Sequence, residues 1–171
     1  MTAPRFGITG WKNSGKTTLA ARLITELTRR GYTVCAVKHA HEGFDIDQPG
    51  RDSYALRAAG AQRVILSSPK RWAVMHELYG AEEASFEQIL SQAGDCDLIV
   101  IEGYKREAFA KLEVRRAAAV SREALSTVIP SVVAIASDHP EEETDNLPIF
   151  QLDDVAGIAD FVVGYLGLAS S

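Results

Sequence analysis

Residues 10–17 of this chain, Gly-Trp-Lys-Asn-Ser-Gly-Lys-Thr, constrain its fold more strongly than any other feature. They follow a predicted short strand, Arg5 to Thr9, and overlap a stretch with the apolar spacing of a helix, Lys16 to Arg30. A glycine, four variable residues and then Gly-Lys-Thr, placed between a strand and a helix, are typical of a phosphate-binding loop. We therefore predict that a nucleoside triphosphate binds to this segment.

The residue types in the loop match this chemistry. Gly10 and Gly15 allow sharp turns close to phosphate, and the backbone N–H groups at the helix start attract anions. Lys16 would contact the β- and γ-phosphates as a catalytic residue, and the Thr17 hydroxyl would be a ligand of Mg²⁺. The predicted nucleotide contacts of the loop are Gly10, Trp11, Lys12, Asn13, Ser14, Gly15, Lys16, Thr17 and Thr18.

Strands and helices are predicted to alternate along the rest of the chain. The predicted strands are Arg5 to Thr9, Tyr32 to Lys38, Arg63 to Ser67, Trp72 to Leu78, Leu98 to Ile101, Val132 to Ala136 and Leu147 to Leu152. The predicted helices are Lys16 to Arg30, Arg51 to Ala61, Phe86 to Ala93 and one that begins at Asp153 and Asp154, and residues 105–130 are expected to be partly helical. This order indicates an α/β fold: a three-layer P-loop NTPase fold with a mostly parallel sheet, an antiparallel hairpin addition and helices on both faces.

Composition narrows the class of protein. The length of 171 residues fits a single nucleotide-binding domain, 1–171, and the net charge of −5 does not favour nucleic acid as a partner. All 18 basic residues lie in the first 122 residues, which suits a polyanionic ligand or reflects chance differences between solvated faces. Cys35 and Cys96 form no CxxC motif, and no apolar stretch is long enough to cross a membrane. We expect a cytoplasmic protein.

A second Mg²⁺ ligand is expected at the carboxyl end of a neighbouring strand, where ligands of such sheets bind. Two acids flank the apolar run 98–101. Asp97 precedes the run and would lie at the wrong end, whereas Glu102 follows it and is our predicted metal ligand. Asp45 and Asp47 follow another predicted strand, and we assign Asp45 to the metal and Asp47 to catalysis. The alternative for both is a solvated acidic turn.

Several segments together resemble one family. They are Gly7 to Thr18, Val37-Lys38-His39-Ala40-His41, Phe44 to Ser53, Ala59-Gly60-Ala61, Ile101 to Lys105 and Ala134 to Asp138. The set is similar to the molybdopterin-guanine dinucleotide biosynthesis adapter family, MobB. The resemblance implies a dimeric GTP-binding protein with weak GTPase activity that assists a MobA-type guanylyltransferase in attaching GMP to molybdopterin. It also implies that molybdopterin is a candidate ligand and that Gln48 to Asp52 lie near the nucleotide or the bound cofactor, with Gln48, Pro49, Gly50 and Arg51 as nucleotide contacts.

The same resemblance suggests how guanine is recognised. Related GTPases use an aspartate after a late strand to accept hydrogen bonds from guanine N1 and N2, and Asp138 has that position. Here Ile-Ala-Ser-Asp, residues 135–138, replaces the usual Asn-Lys-x-Asp, and the alternative is a loop aspartate at a strand end.

Two other functions remain open from the sequence. A small-molecule kinase would need a basic lid, for which the candidates are Lys105, Arg106, Lys111, Arg115, Arg116 and Arg122. A metal-delivery GTPase would use His39, His41 and Asp45, because imidazoles two residues apart on an extended segment point to the same side.

Overall fold

The computed structural model describes residues 3–40, 43–121, 123–139 and 146–169. The chain divides into two compact units. The first consists of Met1–His39 together with Leu90–Ser171, and the second of Ala40–Ile89. The expectation of a single nucleotide-binding domain stays a prediction.

A six-stranded parallel sheet forms the centre of the first unit. Its strands are β1 (Arg5–Gly10), β2 (Val34–Lys38), β5 (Leu98–Glu102), β6 (Lys111–Arg115), β7 (Val132–Ser137) and β8 (Ile149–Gln151), in the order β2-β5-β1-β6-β7-β8. Most of the residues of β1, β5 and β7 are buried, as expected for central parallel strands that are covered on both faces.

Helices α1 (Lys16–Arg29) and α4 (Val155–Leu166) pack on one face of this sheet. Leu19, Leu23 and Leu27 recur at the spacing of one helix face and are buried there. The Asp154 carboxylate caps α4 by accepting a hydrogen bond from the Gly157 N–H at 2.9 Å. The 3₁₀ turn Leu125–Thr127 contacts the opposite face, since it binds the side chain of Glu113 in β6.

The second unit is smaller. It contains helix α2 (Asp52–Ala58), the antiparallel hairpin of β3 (Arg63–Ser67) and β4 (Trp72–His76), and most of the short helix α3 (Phe86–Leu90). The hairpin forms a two-stranded sheet of its own. The predicted fold class is confirmed: the chain has a six-stranded parallel sheet, a two-stranded antiparallel sheet and helices.

One prediction of local structure is wrong. Residues 105–130 were expected to be partly helical; they contain the short 3₁₀ helix Leu125–Thr127, but the buried strand β6 was not predicted. Lys111 is fully buried in that strand and the Arg115 side chain is only 13% exposed. Neither residue can therefore belong to a mobile basic lid, and Arg122, another proposed lid residue, lies outside the described residues. Within the described ranges, no helix is long and apolar enough to cross a bilayer.

Candidate nucleotide-binding site

The loop between β1 and α1 has positive φ angles at residues that tolerate them. Gly10 has φ 149° and Gly15 has φ 90°, both in the region that favours glycine. A Cβ at Gly10 would lie 2.6 Å from both the Ser14 hydroxyl and the Val114 carbonyl oxygen, so no side chain fits. Asn13 also has a positive φ, 65°, which asparagine tolerates better than most residues.

The loop presents free donors at the start of α1. Gly15 precedes the helix and has no side chain to accept a hydrogen bond, and the first turn carries no acidic residue. The N–H groups at a helix N-terminus lack partners within the helix and carry a partial positive charge. This 14-residue helix therefore begins with an arrangement that suits a phosphate group.

The Lys16 side chain folds back over the loop. Its Nζ donates to the Trp11 carbonyl oxygen at 2.7 Å. Burial lowers the pKa of Lys16, and the nearby positive charges of Lys105 and Lys38 lower it further, whereas Glu102 raises it. Three lysines thus surround the loop, and a polyanion would relieve their mutual repulsion.

Thr17 and Glu102 lie together at the carboxyl edge of the sheet. The Thr17 hydroxyl oxygen is 2.9 Å from each carboxylate oxygen of Glu102. The Lys38 Nζ approaches both groups, at 3.2 Å from the Thr17 hydroxyl and 3.4 Å from Glu102 Oε1. Hydroxyl and carboxylate oxygens are the ligands that Mg²⁺ prefers, so the donor set fits the predicted metal.

A pocket opens on the other side of the loop, beyond the ends of β6 and β7. Trp11, Arg116, Ser137 and Asp138 are among the residues that line it. The Trp11 indole N–H donates to the Glu123 carbonyl oxygen at 2.8 Å. The Lys105 Nζ lies 4.4 Å from the centroid of the indole ring, which therefore has a fixed orientation.

The predicted guanine-binding residue, Asp138, faces this pocket with its side chain 34% exposed. Its carboxylate accepts a hydrogen bond from the Ala117 N–H at 3.1 Å, and Arg116 Nε is 3.8 Å away. A Cβ on Gly15 would lie 3.6 Å from the Arg116 guanidinium, so Arg116 extends from the phosphate loop to Asp138. The first unit thus contains the predicted phosphate loop, two of the three predicted metal ligands, Thr17 and Glu102, and the predicted base-binding residue Asp138.

The predicted site residues of the second unit form a separate cluster. Arg57 pairs with Asp45 at 2.9 Å, with Asp47 at 3.2 Å and with Glu77 at 2.6 Å, and we call these four residues the Arg57 cluster. The Ser53 hydroxyl also donates to Asp47 at 2.8 Å. Both aspartates thus bind Arg57, and their metal-binding and catalytic roles stay predictions.

Residues 48–51 connect this cluster to helix α2. The Gln48 N–H donates to the Asp47 carboxylate at 3.1 Å, and the Arg51 N–H donates to the Gln48 carbonyl oxygen at 3.2 Å. Pro49 and Gly50 complete the turn, and Gly50 has φ 89°. The nucleotide contacts of Gln48, Pro49, Gly50 and Arg51 also stay predictions.

The transition-metal hypothesis gains no support from the described residues. The His39 imidazole stacks on Tyr104, with the ring centroids 4.5 Å apart, and His41 lies outside the described ranges. No group of three His, Cys, Asp or Glu side chains in the described part of the chain is arranged to hold a metal. Asp97 has a structural contact, because its carboxylate accepts from the Thr33 N–H at 2.7 Å.

Sequence reasoning did not identify Lys38 or Glu113 as residues of this region. Glu113 is 1% exposed and lines the pocket, where it accepts hydrogen bonds from the Leu125 and Ser126 N–H groups at 2.8 and 3.0 Å. Lys38 lies directly opposite Glu102 in the register of β2 and β5. Lys38 ends a predicted strand, which could have suggested that it lies near the site. The sequence did not show, however, that this strand pairs with the strand that ends at Glu102.

Residues 6–138 match the family described as "Molybdopterin guanine dinucleotide synthesis protein B". The chain is 40% identical over 167 residues to the molybdopterin-guanine dinucleotide biosynthesis adapter protein of Escherichia coli K12, covering 95% of this chain and 93% of that one. The adapter protein of Haemophilus influenzae is 34% identical over 165 residues, with 95% and 89% covered.

Solved structures agree with these sequence matches. The crystal structure of Bacillus subtilis MobB superposes with a TM-score of 0.74 at 25% identity, covering 95% of this chain and 98% of that one. The family match extends over more than half of the chain and includes the phosphate loop, Glu102 and Asp138. The chain therefore belongs to the molybdopterin guanine dinucleotide synthesis protein B family, MobB.

Proposed function

We propose that this protein is a cytoplasmic GTP-binding adapter that assists the attachment of GMP to molybdopterin during molybdenum cofactor biosynthesis. The observation that carries the proposal is the uncapped start of α1 behind a loop of residues 10–17, in a chain of the MobB family. The E. coli relative is named as an adapter in molybdopterin-guanine dinucleotide biosynthesis. The partner would be a MobA-type guanylyltransferase, with molybdopterin as a candidate ligand.

The first unit supplies the groups that GTP requires. The N–H groups of α1 and the Lys16 ammonium would bind the phosphates, and the Asp138 carboxylate would accept hydrogen bonds from guanine N1 and N2. Thr17 and Glu102 would hold Mg²⁺, which when bound neutralises charge on the β- and γ-phosphates.

We propose that any hydrolysis of GTP by the chain alone is slow. Asp47, the candidate catalytic residue, has a side chain that is only 6% exposed and is paired with Arg57. Its carboxylate would have to leave Arg57 and Ser53 before it could orient a water molecule. The energy for such a change would have to come from the nucleotide or from a protein partner.

We also propose a homodimer that buries one face of the β3–β4 hairpin. The register pairs Ile65 with Val74 and Ser67 with Trp72, so these side chains share one face of the two-stranded sheet. The exposed fractions of Ile65, Trp72 and Val74 are 68%, 73% and 45%. Three large apolar side chains on one exposed face are typical of an interaction surface.

Light scattering after size-exclusion chromatography would test the dimer. Trp72→Lys and Ile65→Lys should each convert a dimer to a monomer, because a lysine would be buried without a partner. Tyr165→Lys, at a 52% exposed residue of α4, is a matched control that should stay dimeric. A dimer that survives both hairpin substitutions would exclude this face as the interface.

Calorimetric titration with GTP, GDP and ATP, each with and without Mg²⁺, would test the nucleotide proposal. We expect GTP with Mg²⁺ to bind more tightly than ATP with Mg²⁺. A pull-down of the guanylyltransferase by the protein with GTP bound would then test the adapter role. Equal binding of GTP and ATP would remove the guanine assignment, and transfer of phosphate to an added acceptor would indicate a kinase instead.

A further inference from the structure

Lys38 lies against both residues that would hold the metal. Its Nζ is 3.2 Å from the Thr17 hydroxyl oxygen and 3.4 Å from Glu102 Oε1, and those two side chains are hydrogen-bonded to each other at 2.9 Å. A cationic group is thus in contact with the same oxygens that would bind a divalent cation.

The sheet register explains why these groups meet. Lys38 and Glu102 are paired residues at the carboxyl ends of the neighbouring parallel strands β2 and β5. Residues of one strand alternate between faces, and Val34 and Leu98, four positions earlier in each strand, pack in the core beneath α1. Lys38 and Glu102 therefore point to the face where α1 begins with Thr17.

The Glu102 carboxylate needs a counter-cation when no metal is bound. Its side chain is only 13% exposed, and a buried carboxylate without a partner is costly. Two other ammonium groups of the described residues lie near the loop, but the Lys16 Nζ donates to the Trp11 carbonyl oxygen and the Lys105 Nζ lies over the Trp11 ring. The Lys38 side chain is 57% exposed, so its ammonium group can move into solvent with little desolvation.

From this geometry we infer that the Lys38 ammonium group takes the place of Mg²⁺ in the nucleotide-free protein and leaves it when the metal–nucleotide complex binds. Lys38 is then a positioning residue: it keeps Thr17 and Glu102 together and competes with the metal for them. The inference rests on the proposed function, and it predicts that Lys38 sets how strongly nucleotide affinity depends on Mg²⁺.

The test compares GTP affinity of the full chain in excess EDTA and in saturating Mg²⁺, by calorimetry. Lys38→Met removes the ammonium group and keeps the length of the side chain. Without metal, Glu102 would then lack its ion-pair partner and would repel the triphosphate more strongly. With metal, the competitor of Mg²⁺ would be absent. The first effect raises the dissociation constant in EDTA and the second lowers the dissociation constant in Mg²⁺. The ratio of the EDTA value to the Mg²⁺ value should therefore be about ten-fold higher than in wild type.

Lys105→Met is the matched control. Lys105 also lowers the pKa of Lys16, but its Nζ lies over the Trp11 ring. Loss of this lysine should weaken binding by a similar factor in both conditions, leaving the ratio within about two-fold of wild type. Lys38→Gln repeats the loss of charge with a polar side chain, and thermal melting shows whether each variant is folded.

Three results would overturn the inference. One is an equal ratio for wild type, Lys38→Met and Lys38→Gln; this removes the role of Lys38 and leaves the proposed function intact. Another is an equal rise for Lys105→Met, because general loss of positive charge would then explain the effect. The third is wild-type protein that binds no GTP in either condition, which would reject the proposed function as well.

Discussion

The Thr17–Lys38–Glu102 group in the first unit and the Arg57 cluster in the second both join acids to a cation, but they differ in how tightly the cation is held. Lys38 is 57% exposed and makes one ion pair with the described residues, at 3.4 Å. Arg57 is 15% exposed and makes three, between 2.6 and 3.2 Å. A bound ligand can displace an exposed lysine from its partners. A guanidinium that is paired with three carboxylates instead holds those side chains together.

The largest effect on nucleotide binding is expected from a substitution in the phosphate loop. Lys16→Ala should reduce GTP affinity by about 100-fold, because a charge-assisted contact to phosphate is lost in a half-buried position. Calorimetric titration measures this change. Lys12→Ala, in the same loop, is the control and should lose no more than about three-fold. Equal losses in both variants would mean that only the net charge of the loop matters.

A third cation, Lys111, is buried at the amino end of β6, where we expect it to affect the stability of the fold. Lys111 is fully buried, and its Nζ donates to the carbonyl oxygens of Glu107 and Phe109 and to the Ser131 hydroxyl. Burial lowers the pKa of Lys111 to about 8. Between pH 8 and 10.5 the folded protein therefore releases this proton before the unfolded chain does, so the free energy of unfolding should rise with pH.

Chemical denaturation of wild type and Lys111→Met across this pH range isolates the effect. The difference in the free energy of unfolding between the two proteins should change by about 2–3 kcal/mol in favour of wild type as pH rises from 8 to 10.5. Lys70→Met, at an exposed residue, is the control and should show no such trend. A difference that is constant with pH would mean that Lys111 is charged in the folded protein up to its ordinary pKa.

An intermediate effect is expected in the pocket beside the phosphate loop. Asp138→Asn should reduce the preference for GTP over ATP by about ten-fold, since one of the two carboxylate oxygens that would accept from guanine N1 and N2 becomes an NH2 group, which is a donor. Competition titration with both nucleotides measures the ratio. Asp153→Asn, at an exposed residue that pairs with Arg22, should leave the ratio unchanged. A wild-type ratio in Asp138→Asn would show that the base is recognised elsewhere.

Local sequence signals predicted the fold well where each element depends on its own residues. The phosphate loop, the apolar run 98–101 and the cap at Asp154 are examples. Strand β6 was missed because Lys111 and Glu113 are buried charges whose partners, Ser131 and the turn at Leu125, are distant in the sequence. Such partners are defined only by the tertiary structure.

The same limit explains the site predictions. Glu102 was selected by its position after a strand, which is a local signal. Asp45 and Asp47 satisfied the same criterion, but pairing with Arg57, twelve and ten residues further on, gives them a different environment. Lys38 was missed because its contact with Glu102 depends on the order of the strands in the sheet.

The smallest effect on nucleotide binding is expected from the Arg57 cluster. Arg57→Met should lower the melting temperature by about 5 °C, because Asp47 and its neighbours lose their cation. The Asp47 N–H and the Arg57 guanidinium hold the pKa of Asp45 below its usual 3.8, so the part of this stabilisation that Asp45 contributes should be lost as pH falls from 3.8 through the lowered pKa. Arg71→Met, at an exposed residue of the same unit, is the control. If Arg57→Met instead reduces GTP affinity by ten-fold or more, the cluster belongs to the binding site and the distinction fails.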